Sequence, residues 1–286
     1  MADKSNRKVI KARSERAMEP MPGMTSQSLL RFDPNFETFA NHLSMPGEGF
    51  RRMKLPPWLM FPLLYNRKDQ AKLTDNEKQR FLCAFDILNQ NGVLGQFVET
   101  HGQSAHRMHH TLRFLPWHRV YLAKFEQALR SIHPDVTIPY WDWTQATEQS
   151  FPPWLAAVTP TVVTPSRTIH VVRSPAPPGD LTTIASNTPA ALVDTDFVTF
   201  TGHLEHIHDM VHVWVGGTMG AIPTAPADPI FWMHHANIDR LWSVWQKSPA
   251  GTGKNPPLAG ADLIMDPYPN TEADTRDTTT LGYVYV

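Results

Sequence analysis

Three apolar helical stripes in this chain each place a histidine where a core side chain belongs, and this constrains the fold more than any other feature. His118, Leu122, Phe125, Leu129 and Ile132 fall on one face of a helix predicted to follow Pro116. Phe197, Phe200, Leu204, His208, Val211, His212 and Val215 share a second stripe, ended by Gly216-Gly217. Phe231, His235, Ile238, Trp242 and Trp245 share a third, opened by Asp228 as N-cap and by Pro229 in the first turn. A fourth helix opens at Thr74, whose spacing to Glu77 is that of a capping box. Phe81, Phe85 and Leu88 then recur at helical spacing, and Asn91-Gly92 stops it. Four amphipathic helices that must each bury one face make a bundle. The expected fold is therefore mainly α, a four-helix bundle core, with long loops rich in the chain's 26 prolines. Within those loops "RTIHVVRSP" reads as a short strand.

Bundle interiors are where side chains build metal sites. A buried imidazole without a partner costs on the order of 1–3 kcal/mol, and a shared ion removes that cost. His208 and His212 stack at i,i+4 on one side of their helix. His206 lies about 200° around the helix from His208 and should point elsewhere. His235 continues its apolar stripe and His234 does not. His106, His110, His133, His170 and His203 read as surface or supporting residues. The donor set is imidazole only. Di-iron bundles need several inward carboxylates with Glu-x-x-His spacing, and only Glu205 to His208 has it. Blue copper needs a cysteine beside the histidines, whereas Cys83, the single cysteine, belongs to the first helix as a packing residue. Copper matches best and zinc second.

Composition closes off other classes. A net charge of -1 gives no electrostatic reason for nucleic acid or an anionic membrane as partner. No apolar run reaches the roughly 18 residues of a membrane span, and one cysteine allows no intrachain disulfide. The N-terminus shows no charged region followed by an apolar stretch, so a cytoplasmic location is expected, with export alongside a partner as the alternative. Residues 1–69 read as an N-terminal tail and surface arm, and 70–286 as the histidine-bearing domain.

The chain resembles the type-3 copper proteins, and within them the short bacterial tyrosinases, or polyphenol oxidases. "HHTLRFLPWHRVYLAKFE" is similar to the family's first copper signature: a histidine, four residues, Phe-Leu-x-Trp-His-Arg, then Glu126. That alignment selects His109 over His110, with His101 in "ETHG" as the ligand before it. "HDMVHVWVGG" is similar to the opening of the second copper site and "DPIFWMHHANIDRLWSVWQ" to its close, where the second histidine of the pair is the ligand. "PYWDW" and the late "GYVYV" also look like the family, with Arg67 paired to the latter.

The resemblance implies a dinuclear copper domain over 70–286. One copper would be held by His101, His109 and His118, the other by His208, His212 and His235, with O2 as co-substrate. It implies ortho-hydroxylation of monophenols and oxidation of o-diphenols to o-quinones, on a small phenolic substrate, with a copper-loading partner compatible. Many relatives carry Asn after the first ligand of the second site; here it is Asp209, and Glu205 stands one turn before. Together these two are expected to position or accept the phenol proton, the alternative being that Asp209 merely orients His208. Met219, Ile222 and Phe231 are expected at the substrate pocket. No thioether is expected, because Arg107 stands where relatives that form one place cysteine. The rival functions are a catechol or o-aminophenol oxidase, a haemocyanin-like O2 carrier and a dinuclear zinc hydrolase.

Overall fold

The capping box at Thr74 forms as its spacing requires. Thr74 Oγ1 accepts from the Glu77 amide at 3.3 Å, Glu77 Oε2 accepts from the Thr74 amide at 2.8 Å, and helix α1 runs Asp75–Gln90. The computed structural model describes residues 64–286, so the tail expected at the N-terminus lies, up to residue 63, outside the described residues.

At Gly92 the backbone takes φ 81°, a left-handed conformation that glycine adopts without strain, and the chain reverses into α2, Val93–Met108. This helix was not separated in the sequence pattern, and it carries His101. The remaining helices are α3 (Phe114–Ile132), the short α4 (Pro178–Ala185) and α5 (Thr188–Ala191), α6 (Phe197–Val215) and α7 (Pro229–Lys247). α3 is the central element and touches α1, α2, α6 and α7. The four-helix core is present, but the four helices that surround the histidines are α2, α3, α6 and α7, while α1 covers α2 and α3 from outside.

The rest of the chain wraps this core and fixes its register. β2 (Thr161–Val163) and β3 (Thr168–His170) form a small antiparallel hairpin, of which β3 is the short strand expected in "RTIHVVRSP", with Val162 opposite Ile169. α2 lies so close to it that a Cβ on Gly95 would stand 2.0 Å from the Val163 carbonyl oxygen. α7 starts where Asp228 accepts from the Ile230 amide at 3.0 Å, and Arg173 grips the same buried carboxylate at 2.6 and 2.8 Å.

β1 (Tyr65–Arg67) pairs in parallel with β4 (Tyr283–Tyr285). The boundary expected at residue 70 thus falls inside the packed body, because Arg67 is fully buried. Its guanidinium lies 3.5 Å from the Tyr283 ring centroid and donates to Glu126 at 2.8 Å. Tyr283 and Tyr285 both donate to Asp239 Oδ2 at 2.5 Å, and Arg119 pairs with the other oxygen of Asp239. Arg119 follows His118 and Asp239 stands one helical turn after His235, so this buried network ties α3 to α7 beside the histidines. No helix of the described residues is long and apolar enough to cross a membrane.

Candidate metal centre

Two nests of imidazoles meet at the middle of the core. His101 from α2, His109 from the turn after it and His118 from α3 offer ring nitrogens within 4.8 Å of one another. His208 and His212 from α6 form the second nest with the pair His234-His235 on α7. The nests are in contact: the His118 and His235 rings stack at 4.6 Å, with 24° between their planes.

The hydrogen bonds decide which nitrogen of each ring is free. His101 Nδ1 meets the Ile222 carbonyl at 2.9 Å, His109 Nδ1 that of Ala105 at 3.2 Å, His118 Nδ1 that of Phe114 at 2.8 Å and His212 Nδ1 that of Met219 at 2.8 Å. His208 Nδ1 meets Asp209 Oδ1 at 3.0 Å. A carbonyl can only accept, and an ionised carboxylate likewise, so each of these five rings carries its proton on Nδ1 and turns a lone pair inward at Nε2. Yet Nε2 of His118 and His101 lie 3.4 Å apart, and His235 Nε2 lies 3.0 and 3.1 Å from those of His208 and His212. His101 and His118 therefore face each other acceptor to acceptor, which repels unless a cation sits between them. His235 Nδ1 has no partner among the described residues, so no contact there fixes which of its nitrogens holds the proton.

Protonation does not relieve the conflict. Burial drives all six rings below the ordinary histidine value, His109 and His212 to about 4. Repulsion among neighbouring imidazoles adds to burial at His101, His118, His208 and His235. Neutral, convergent imidazole nitrogens with oxygen-anchored far sides are the donor set that a borderline transition-metal ion takes.

His234 and His235 are both buried, and the nitrogens of His208, His212 and His234 also fall within 4.8 Å. Their tautomers separate them. The Trp143 indole donates to His234 Nδ1 at 3.1 Å, so that lone pair is used and the proton sits on Nε2. His234 has none left for a metal, whereas His235 points Nε2 between His208 and His212. The sequence preference for His235 thus has a chemical reason that no helical period contains. His206 and His110 are exposed, as their positions on the chain suggest.

The chamber above the histidines has a volume of about 210 Å³ and is lined by His101, His109, His208 and His212 together with Asp209, Met219 and Ile222. Met219 and Ile222 were expected there for their side chains, but their carbonyls also anchor His212 and His101. The loop can approach this closely because Gly217 has φ 55° and a Cβ there would stand 2.2 Å from the Val172 oxygen. Phe231, expected at the pocket and packed beneath the metal pair, is fully buried beneath the rings, with ring centroids 4.0 Å from His235 and 5.1 Å from His101. Its stripe position turns it to the core and away from the opening. Glu205 is not on the chamber wall. It is 5% exposed, accepts from the His110 amide at 2.6 Å and lies in an adjoining lobe, where burial pushes its carboxyl up to about 8.

Comparison with known proteins agrees with this centre. The family model described as the common central domain of tyrosinase matches residues 91–176 and 167–248. A tyrosinase of Streptomyces glaucescens is 32% identical over 264 residues, covering 74% of this chain and 96% of that protein. One of Streptomyces antibioticus is 32% identical over 255 residues, covering 72% and 93%. A functional unit of octopus hemocyanin superposes with a TM-score of 0.65 at 25% identity, over 77% of this chain and 68% of its own. The two histidine nests lie on the matched segments, and the chain belongs to the tyrosinase family, a dinuclear copper family of oxidases that act on phenols.

Proposed function

We propose that the centre binds one copper ion at His101, His109 and His118 and a second at His208, His212 and His235. With O2 it hydroxylates monophenols at the ortho position and oxidises o-diphenols to o-quinones. The observation that carries this reading is the convergence of inward Nε2 atoms at 3.0–3.4 Å, with five of the six Nδ1 atoms tied to oxygen acceptors. An all-imidazole set with no thiolate suits copper better than zinc.

The two ions, when bound, supply O2 activation and electron transfer from the phenol. The chain supplies orientation, dryness and a place for the proton. Carbonyls of Ala105, Phe114, Met219 and Ile222 hold the ring tautomers, and Phe231 and Phe114 close the floor. Asp209 has two jobs. Oδ1 holds His208, and as a wall residue of the chamber its other oxygen accepts the hydrogen of an incoming phenol. Burial raises the Asp209 carboxyl above its usual range, which strengthens it as a base. Glu205, expected to share this job, lines the lobe next door.

A second reading is a catechol or o-aminophenol oxidase with weak monophenol activity. It is favoured by the 3.0 Å bond that commits one Asp209 oxygen to His208. Copper-loaded protein offered a monophenol, a catechol and an o-aminophenol in parallel separates the readings. Asp209→Asn is expected to change the ratio of monophenol to diphenol turnover several-fold; an unchanged ratio at full copper content removes the proton role. Reversible O2 uptake with no catechol turnover would instead make the protein a carrier.

A further inference from the structure

α2 ends at Met108, and residues 109–113 turn the chain into α3. His109 caps α2 in extended backbone, with φ -107° and ψ 145°. Its amide and its ring Nδ1 both meet the Ala105 carbonyl, at 3.1 and 3.2 Å. The next residue, His110, takes φ 55° and is the one non-glycine with positive φ among the described residues. A residue with a Cβ keeps that left-handed conformation only where its surroundings enforce it. Further on, Thr111 Oγ1 donates to the Arg107 carbonyl at 3.0 Å and accepts from the Arg113 amide at 3.2 Å, so that side of the turn is tied to itself.

The His110 amide finds its acceptor outside the turn. It donates to Glu205 Oε1 at 2.6 Å, across 95 positions of sequence. No other hydrogen bond joins residues 109–113 to α6 among the described residues. The helices themselves do not supply the tie: α2 packs against α1 and α3, whereas α6 packs against α3, α4 and α5. Glu205 stands one helical turn before His208, and both are buried. An amide aimed at so enclosed a side chain must be met there, because water that it gives up is otherwise not replaced.

We propose that Glu205 is a positioning residue for His109: by accepting from the His110 amide it holds the left-handed turn that aims the His109 ring inward, and it sets that turn against the helix of the second nest. What His109 then holds rests on the copper reading above, but the turn can be tested without metal. The bond needs an acceptor oxygen and no charge. Glutamine keeps that oxygen and cannot serve as a base, so the substitution separates this role from one in taking a proton.

The experiment compares Glu205→Gln, Glu205→Leu, Glu205→Asp and Glu205→Leu combined with His110→Gly. Leucine is close in size and has no acceptor. Aspartate keeps the charge but withdraws the oxygen, and serves where leucine is not tolerated. Glycine adopts positive φ without strain, so the turn then needs less holding. In copper-loaded protein, competition with a chromogenic Cu(I) chelator measures the affinity of the two sites. Glu205→Leu and Glu205→Asp are expected to weaken one copper at least tenfold and the other less than threefold. Glu205→Gln should stay within threefold of the parent at both, and His110→Gly should return at least fivefold of the affinity lost in Glu205→Leu. In metal-free protein, deuterium exchange of the His110 amide followed by NMR should be at least tenfold faster in Glu205→Leu and Glu205→Asp and unchanged in Glu205→Gln. Unaltered copper affinity in both Glu205→Leu and Glu205→Asp, a loss in Glu205→Gln as large as theirs, no recovery with His110→Gly, or an unaltered His110 exchange rate overturns the proposal. A parent protein that binds no copper would overturn the metal reading alone, and the exchange arm would still decide the turn.

Discussion

His234 and His235 are neighbours in sequence and both buried, yet only His234 has its Nδ1 lone pair occupied by a donor. The difference is set by one indole, Trp143, which comes from a segment 91 residues earlier and occupies His234 Nδ1. His235→Ala is therefore expected to lose about one of two coppers per chain, measured by elemental analysis, whereas His234→Gln keeps both. Loss of one copper in His234→Gln with both retained in His235→Ala would reverse the assignment. Of the six proposed ligands, helical spacing singles out His118, His208, His212 and His235, and the resemblance adds His101 and His109. The groups that fix their tautomers are not legible in sequence. Four of those groups are main-chain carbonyls, which carry no residue identity, and the Ile222 carbonyl comes to His101 from 121 positions away.

Among the elements, three of the four histidine helices could be read directly, and α2 could not. Gly95 and Gly102 interrupt it and lower its propensity, although Leu94, Phe97, Val98, His101 and Met108 do turn one buried face inward. Gly95 has a packing reason that no propensity scale includes, since the hairpin β2–β3 rests on its bare backbone. Gly95→Ala should consequently destabilise the protein by about 1–3 kcal/mol in denaturant unfolding, against the roughly 1 kcal/mol gain expected from helix propensity alone. A stabilised Gly95→Ala would mean that the hairpin does not lie against α2. Phe231 teaches the same lesson in reverse. Its stripe position is enough to bury it, and the ring it buries against, His235, lies one turn along the same stripe.

At the scale of the whole molecule, stability against pH depends on a carboxylate outside the histidine nests. Glu148 is buried beside Asp69 and Asp142, takes a hydrogen bond from Gln70 at 2.7 Å, and its carbonyl accepts from the Trp141 indole at 2.9 Å. Burial first, and then the neighbouring carboxylates, push its carboxyl up to about 7, with the Gln70 bond pulling the other way. The unfolded chain releases that proton near 4.3. From about 4.3 to 7 the folded state therefore holds a proton that the unfolded state has lost, and stability falls as pH rises through that window. Glu148→Gln should flatten this slope and raise Tm at pH 8 by roughly 2–4 °C. An unchanged pH profile of Tm would show that Glu148 is ionised in the folded protein at neutral pH.

The pairing of β1 with β4 also has a consequence for the order of assembly. Residues 65–67 and 283–285 bracket every proposed copper ligand, and Tyr283 and Tyr285 close on Asp239, one turn past His235. A ribosome delivers all six histidines before it delivers Tyr283. Throughout that interval the last histidine-bearing helix lacks the clasp that Tyr283 and Tyr285 make on Asp239.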